Sequence, residues 1–232
     1  MYNGKVISVV FPAYNEQESI LNAIEDFLKT GIVDELIVVD NNSTDQTARL
    51  VLKTKALLIK ERMQGYGYAL SRGLKEARGD LIIMAEPDGT FVADDIFKLL
   101  QLADKYEMVL GSRVKMSFAG KKNHLRWSLR IGNEVTARLL SFLYSAPPLT
   151  DCGCTLRLIH KNALTKIIDQ FTVGGSHFLV EMTILGLKEG ISIIEIPIRY
   201  RARVGSSKIS GSLKGALITW LGMIWLILRY RF

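Results

Sequence analysis

Cysteine is almost absent from this chain: there are two, Cys152 and Cys154, one residue apart. Their number and spacing fit neither a disulfide framework nor a zinc site, so both are expected to be small residues in a reducing compartment. Histidine is nearly as scarce. His124, His160 and His177 are scattered without metal-ligand spacing and are expected to be structural or surface residues. No Ser–His–Asp order or nucleophile elbow is evident. The glycine-rich stretch at residues 64–67 lacks the GxGxxG spacing of dinucleotide binding and the GKS or GKT ending of a P-loop. Aromatics are not interleaved with the basic residues and no nucleic-acid-binding module is recognisable, so no nucleic acid partner is expected. Internal repeats and low-complexity linkers are missing as well. No leader is expected at the start of the chain, because Met1–Lys5 runs straight into a strand-like segment, and a cytoplasmic protein is expected.

What is present is a globular composition. The 232 residues are 48% apolar and 23% charged, enough for one large α/β domain and cramped for two. The formal net charge of +7 suits nucleic acid, an anionic membrane surface or a phosphorylated substrate. Gly215–Leu228 is apolar throughout and flanked by Lys214, Arg229 and Arg231. It falls short of the roughly 20 residues that cross a bilayer. It reads as a buried or interfacial helix, and Trp220, Trp225 and the arginines suit a membrane boundary.

Three apolar runs share one design. Val6–Phe11, Glu35–Asp40 and Asp80–Ala85 are short, β-branched and closed by turn residues, as buried parallel strands are. Helical periodicity lies between them at Glu18–Thr30, Thr44–Lys53 and Tyr68–Ala77, with Ser43 or Thr44 as a plausible N-cap. A helix over Asp94–Lys105 then leads into a strand at Met108–Arg113. This alternation predicts a doubly wound, mostly parallel sheet flanked by helices. Further on, helices are expected at Arg126–Tyr144, Asn162–Phe171 and Ser176–Lys188. Strands are expected at Cys154–Ile159 and Ile191–Tyr200, the latter entering a basic loop, Arg201–Ser210.

Ligands of open parallel sheets bind beyond the carboxyl ends of the strands. Those ends carry Pro12–Glu16, Asp40–Asp45 and Glu86–Thr90. Asp45 reads equally well as a helix cap. Glu86 and Asp88 put two carboxylates into one tight turn, which suits a hard divalent cation beside a diphosphate or an ordinary Pro–Asp–Gly turn. Gly65 and Gly67, ahead of a helix, allow close backbone approach to phosphate. Arg199, Arg201, Arg203 and Lys208 form one basic cluster, with Arg113, Arg126 and Arg130 upstream; clustered arginines favour bidentate phosphate contacts.

The order of these motifs resembles the family 2 glycosyltransferases, within them the dolichol-phosphate mannose or glucose synthase-like branch, over nearly the whole chain. The resemblance implies a GT-A, Rossmann-like fold. PAYNE, with Pro12, Ala13, Tyr14 and Glu16, looks like the family's first nucleotide-binding segment. DNNSTD stands where DDGSTD is usual, which implies Asp40 at the base or ribose. GYGYA resembles the glycine turn. EPDGT occupies the place of the DxD motif, which implies Mg²⁺ or Mn²⁺ at Asp88 with Glu86; the Glu-x-Asp form makes Asp88 the firmer ligand. The segments around Gly111–Arg113, Arg126–Arg138 and Thr150–Arg157 resemble the acceptor side, although Cys154 and Thr155 replace the serine and glycine usual there. EIPIRYRARVGSSKISGS resembles the late loop that closes over the diphosphate.

The implied activity is inverting transfer from a GDP- or UDP-sugar to a polyprenyl phosphate. Arg203 and Lys208 would assist the diphosphate, and Arg113 and Arg130 would position the acceptor. A hydroxyl acceptor would instead need a base, for which Asp151 is the candidate. The implied organisation is one GT-A domain over 1–212, with a nucleotide-sugar half at about 1–113 and an acceptor half at about 114–212. A hydrophobic helix over 213–232 would rest on the cytoplasmic face of the membrane. A nucleotidyltransferase and a non-catalytic nucleotide-sugar-binding membrane module remain as readings from other classes.

Overall fold

The computed structural model describes residues 1–114, 127–205 and 213–232, with the backbone alone at 127–130 and 213–216. One sheet of seven strands organises it, in the order β3-β2-β1-β4-β6-β5-β7. The strands are β1 (Ile7–Ala13), β2 (Glu35–Asp40), β3 (Leu57–Lys60), β4 (Leu81–Met84), β5 (Met108–Ser112), β6 (Arg157–His160) and β7 (Ile193–Pro197). All run parallel except β6, which lies antiparallel between β4 and β5. The reversal brings the start of β6, and the loop before it, to the edge where the other strands end.

Side-chain alternation divides the core into two layers, as a pleated strand requires. Val10, Ile37, Val39, Ile82 and Met84 face one layer. Val9, Phe11, Leu36, Val38, Leu81 and Ile83 face the other. The second layer is covered by α1 (Ile20–Lys29), α2 (Thr47–Val51) and α4 (Asp95–Leu100). In α1 the buried positions Ile20, Ala23, Ile24 and Phe27 fall on one helical stripe. Phe27 meets Phe11 edge to face at 5.0 Å, an arrangement worth about 0.5–1.5 kcal/mol beyond its burial. The first layer is covered by α3 (Tyr66–Glu76), α5 (Trp127–Leu143), α6 (Lys161–Ile167), α7 (Phe178–Lys188) and α8 (Leu213–Arg231).

Several expectations shift. β3 did not stand out in the sequence: it has four residues, half of them exposed, at the sheet edge beside Lys55 and Lys60. The helix expected from Thr44 begins at Thr47, and neither Ser43 nor Thr44 caps it; Asp45 does, its Oδ1 accepting Thr47 N at 2.9 Å. The strand expected at Cys154 starts at Arg157, because residues 152–155 turn around the Arg157 guanidinium.

The C-terminal helix extends beyond its apolar run to Leu213–Arg231 and packs on α5 and α7. Met223, Leu226 and Ile227 are buried, whereas Leu217, Ile218, Leu221, Trp225 and Leu228 are exposed. Tyr144 and Tyr230 pin the helix through Ile227 O (2.9 Å) and Glu181 Oε1 (2.8 Å). Among the described residues, no helix is long and apolar enough to cross a membrane.

Candidate active site

The carboxyl-end edge of the sheet gathers the predicted residues that the structure describes. Pro12 and Ala13 end β1 in register with Val39 and Asp40 of β2. The two loops that follow are fastened to each other. Asn15 N donates to Ser43 Oγ (3.0 Å), Thr44 N to Asn15 Oδ1 (2.7 Å), and Glu16 N to Thr47 Oγ1 (2.8 Å). Asn15 and Asn42 adopt the left-handed conformation that asparagine tolerates best among residues with a side chain. Asp40 is 5% exposed and accepts Ser43 N. Tyr14 stands at the surface. The edge is thus a stiff cradle with Tyr14 and Asp40 on it.

Gly65 and Gly67 occupy the first turn of α3, but protein, not open space, lies against them. A Cβ on Gly67 would lie 2.2 Å from Val173 O, and one on Gly65 2.3 Å from Gly174 O. Gly67 N donates to Gly174 O at 2.8 Å. The expected role of these glycines, room for phosphate, gives way to room for the 173–174 backbone.

The 86–90 turn follows β4. Asp88 is buried; its Oδ1 accepts Thr90 N (3.0 Å) and Thr90 Oγ1 (2.6 Å), and its Oδ2 accepts Arg203 Nη1 (2.7 Å). Arg203 Nη2 donates to Glu16. Burial works against the Arg203 charge, and Asp88 and Glu16 more than offset it, so its pKa is raised. Glu86 turns away from this cluster: its Oε1 accepts Thr155 Oγ1 (2.6 Å) and Tyr66 OH (3.2 Å), which also touch each other at 2.5 Å. Burial, then the Asp88 charge, push the Glu86 carboxyl up to about 7. The sequence had marked Glu86 as a metal ligand. The structure engages it with a tyrosine and a threonine, neither of which had been assigned to it.

No group of three His, Cys, Asp or Glu side chains converges for a metal among the described residues. The donor set still fits a hard cation of the magnesium type, which characteristically takes one or two carboxylates and completes its shell with substrate phosphate and water. Asp88, buried at this edge, is the carboxylate on which that fit rests.

Arg113 follows β5. Its Nε and Nη2 form a fork onto Asp151 at 2.7 and 2.8 Å. Asp151 is fully buried and also accepts Arg113 N, Asn133 Nδ2 and Gly153 N. A carboxylate so filled has no lone pair to take a substrate proton, which removes Asp151 as the base expected for a hydroxyl acceptor. Glu195, a residue the sequence did not single out, holds this loop by accepting Thr150 N (2.9 Å) and Asp151 N (2.8 Å).

Arg157, also unforeseen, is wholly buried. It donates to the carbonyls of Cys152, Cys154 and Leu179 and to Thr183 Oγ1, and burial lowers its pKa. The cysteines beside it lie in opposite core layers, with thiols pushed up to about 12 by burial. Side chains that serve only through such pairings leave no periodic trace in a sequence. The Arg130 side chain, Lys208, His124 and Arg126 lie outside the described residues.

Comparisons with known proteins bear on the family and the fold. A family model described as glycosyl transferase family 2 matches residues 8–168. The chain belongs to this family of glycosyltransferases. An uncharacterised glycosyltransferase of Mycobacterium tuberculosis is 32% identical over 222 residues, covering 94% of this chain and 96% of that protein. A dolichyl-phosphate hexose transferase of Haloferax volcanii is 31% identical, covering 94% and 92%. Among solved structures, glucosyl-3-phosphoglycerate synthase from Mycobacterium tuberculosis, solved with Mn²⁺, UDP and glucosyl-3-phosphoglycerate, superposes with a TM-score of 0.72. It is 21% identical, with 98% of this chain and 80% of that one covered, and shares the fold.

Proposed function

We propose that this glycosyltransferase moves a hexose from a nucleotide-diphospho-sugar to a polyprenyl phosphate at the cytoplasmic face of a membrane. The donor would lie across the cradle of residues 12–16 and 40–47, with its diphosphate toward Asp88 and Arg203. A divalent cation, Mg²⁺ or Mn²⁺, would be held by Asp88 and would supply positive charge to the leaving diphosphate. Arg203 adds charge from the late loop; its buried Nε has no acceptor among the described residues and would meet a phosphate oxygen. Arg113, presented rigidly by Asp151, orients an anionic acceptor on the other side.

One observation carries the choice of acceptor. Asp151, the carboxylate that a hydroxyl acceptor called for, is filled by three bonds from Arg113 and by two further donors, Asn133 Nδ2 and Gly153 N. A phosphate oxygen is anionic at neutral pH and needs no base. The dolichyl-phosphate specificity of the Haloferax volcanii relative points the same way. So does the exposed apolar face of α8, where Arg229 stacks on Trp225 at 5.0 Å in the manner of an interfacial anchor.

The test is nucleotide release from a panel of UDP- and GDP-sugars with Mn²⁺, with and without a short-chain polyprenyl phosphate. Metal-dependent release that requires the lipid phosphate is expected. Release with a saccharide acceptor and no lipid would exclude the polyprenyl reading and leave the glycosyltransferase standing.

A further inference from the structure

Arg203 occupies the contact that a cation on Asp88 would need. Asp88 Oδ1 is taken by Thr90, and the guanidinium has Oδ2. The late segment is laid along the 86–90 turn by two backbone bonds, Arg201 N to Thr90 O at 2.8 Å and Val204 N to Asp88 O at 2.9 Å. Arg203 is therefore delivered to Asp88 by the backbone, and Glu16 receives its second nitrogen. The clasp is incomplete: Arg203 Nε is buried with no partner among the described residues. A buried donor without an acceptor is costly, and a phosphate oxygen arriving beside the clasp would satisfy it.

Resting on the metal-assisted reading above, we propose that Arg203 is the resting counter-ion of the metal position. It holds Asp88 in the ligand-free protein and yields it only when a divalent cation arrives with a diphosphate that draws the guanidinium away. Guanidinium and cation compete for Oδ2, because each is positive and repels the other at contact range while Thr90 holds Oδ1. The diphosphate resolves the competition by offering oxygens to both. Metal and nucleotide consequently bind as one unit, each strengthening the other by the same factor. The cation alone is held weakly, and a nucleotide that arrives without it meets Asp88 and Glu16 still clasped.

The experiment is a titration of Mn²⁺ followed by the electron paramagnetic resonance of the free ion. It is run without nucleotide and with pyrophosphate, UDP or GDP, on the parent, Arg203→Met, Arg203→Lys and Asp88→Asn. The parent is expected to bind Mn²⁺ alone weakly, and at least about 30-fold more tightly with the matching diphosphate. Arg203→Met is expected to bind Mn²⁺ alone about tenfold more tightly than the parent, with a smaller gain from the diphosphate. Arg203→Lys keeps the charge without the fork and should fall between them; it also stands in should the methionine variant not fold. Adding Asp88→Asn to Arg203→Met should abolish the tighter binding.

Equal or weaker Mn²⁺ binding by Arg203→Met in the absence of diphosphate overturns the proposal. So does parent protein that binds Mn²⁺ equally well with and without diphosphate. So does tightening that survives Asp88→Asn, since the cation then sits elsewhere. Absence of Mn²⁺ binding under every condition removes the metal reading together with this one; the first two outcomes leave that reading intact, and the third moves the cation off Asp88.

Discussion

Asp88 and Asp151 each hold an arginine at the same edge of the sheet, and they hold it differently. Asp151 grips Arg113 by a two-pronged fork, with side chains 0% and 12% exposed, and takes three more hydrogen bonds besides. Asp88 takes one prong of Arg203, whose side chain is 26% exposed and whose Nε is unpartnered. The first pair is closed on itself. The second is a charge arrangement with a donor still to be satisfied. Saturation of hydrogen bonds, more than proximity of charge, separates a pair that supports a site from a pair that can change partners within it.

The largest expected effect tests the closed pair. Asp151→Leu strands the Arg113 charge in the interior and is expected to lower the unfolding free energy by about 3–5 kcal/mol, read from urea denaturation. Arg203→Met, at the open pair, leaves Asp88 its two Thr90 bonds and should cost less, about 1–3 kcal/mol. Equal losses would erase the distinction between the two.

Activity should reverse that order. Asp88→Ala is expected to lower kcat by about 10²–10³-fold, the usual consequence of losing one group that stabilises a developing charge. Its unfolding free energy should move by less than about 1 kcal/mol. Steady-state rates with the accepted nucleotide sugar, set beside a urea melt, check both halves. A variant that unfolds instead would make Asp88 a support like Asp151.

Glu86 sits between the two pairs and provides a pH test. Its folded carboxyl is pushed up to about 7, from an ordinary 4.5, by burial and then by Asp88. The folded protein therefore binds this proton more tightly than the unfolded chain. Stability from this group is fully present below about pH 4.5, falls as the pH rises, and is lost above about 7. Glu86→Gln removes the slope. It should be more stable than the parent at pH 8 by about 3 kcal/mol, and nearly equal near pH 4.5. A difference that does not change with pH would place the Glu86 proton outside the folding equilibrium.

Fold and edge were legible because they rest on local pattern. Apolar runs ending in PAYNE, DNNSTD and EPDGT are contiguous, and the rule that ligands gather beyond strand ends needs only their order. The pairings were not legible. Arg113 finds Asp151 across 38 residues, and Arg203 finds Glu16 across 187. No periodicity marks such partners, so Asp151 read as a free base and Glu16 as part of a nucleotide contact. The glycines misled for a related reason: a residue without a side chain records that something comes close, but not whether phosphate or the 173–174 backbone does. β6 hid its direction because a four-residue strand with three buried positions reads alike either way, and that reversal is what carries Asp151 and Thr155 to the site.

The smallest expected effect lies within the cradle, where two aspartates close one motif. Asp40 ends β2, buried beside the loops that follow β1 and β2, and its carboxylate accepts only the Ser43 amide among the described contacts. Asp45 accepts Thr47 N, Thr47 Oγ1 and Gln17 N, the bonds of a helix cap and a loop fastener. Burial pushes the Asp45 carboxyl up, but the Thr47 hydrogen bonds outweigh it and hold the pKa below the ordinary value. Its stabilisation is therefore present above about pH 4 and fades as the acid range is entered. Asp45→Ala should cost about 1 kcal/mol of unfolding free energy at pH 7, as lost caps do, and less at pH 3. KM for the nucleotide sugar should stay within about twofold of the parent, whereas Asp40→Asn should raise it about tenfold, the loss of one hydrogen bond from a charged group to the ligand. If Asp45→Ala raises KM as much as Asp40→Asn does, the cap is also a ligand contact, and the cradle is one recognition surface from Asp40 to Asp45.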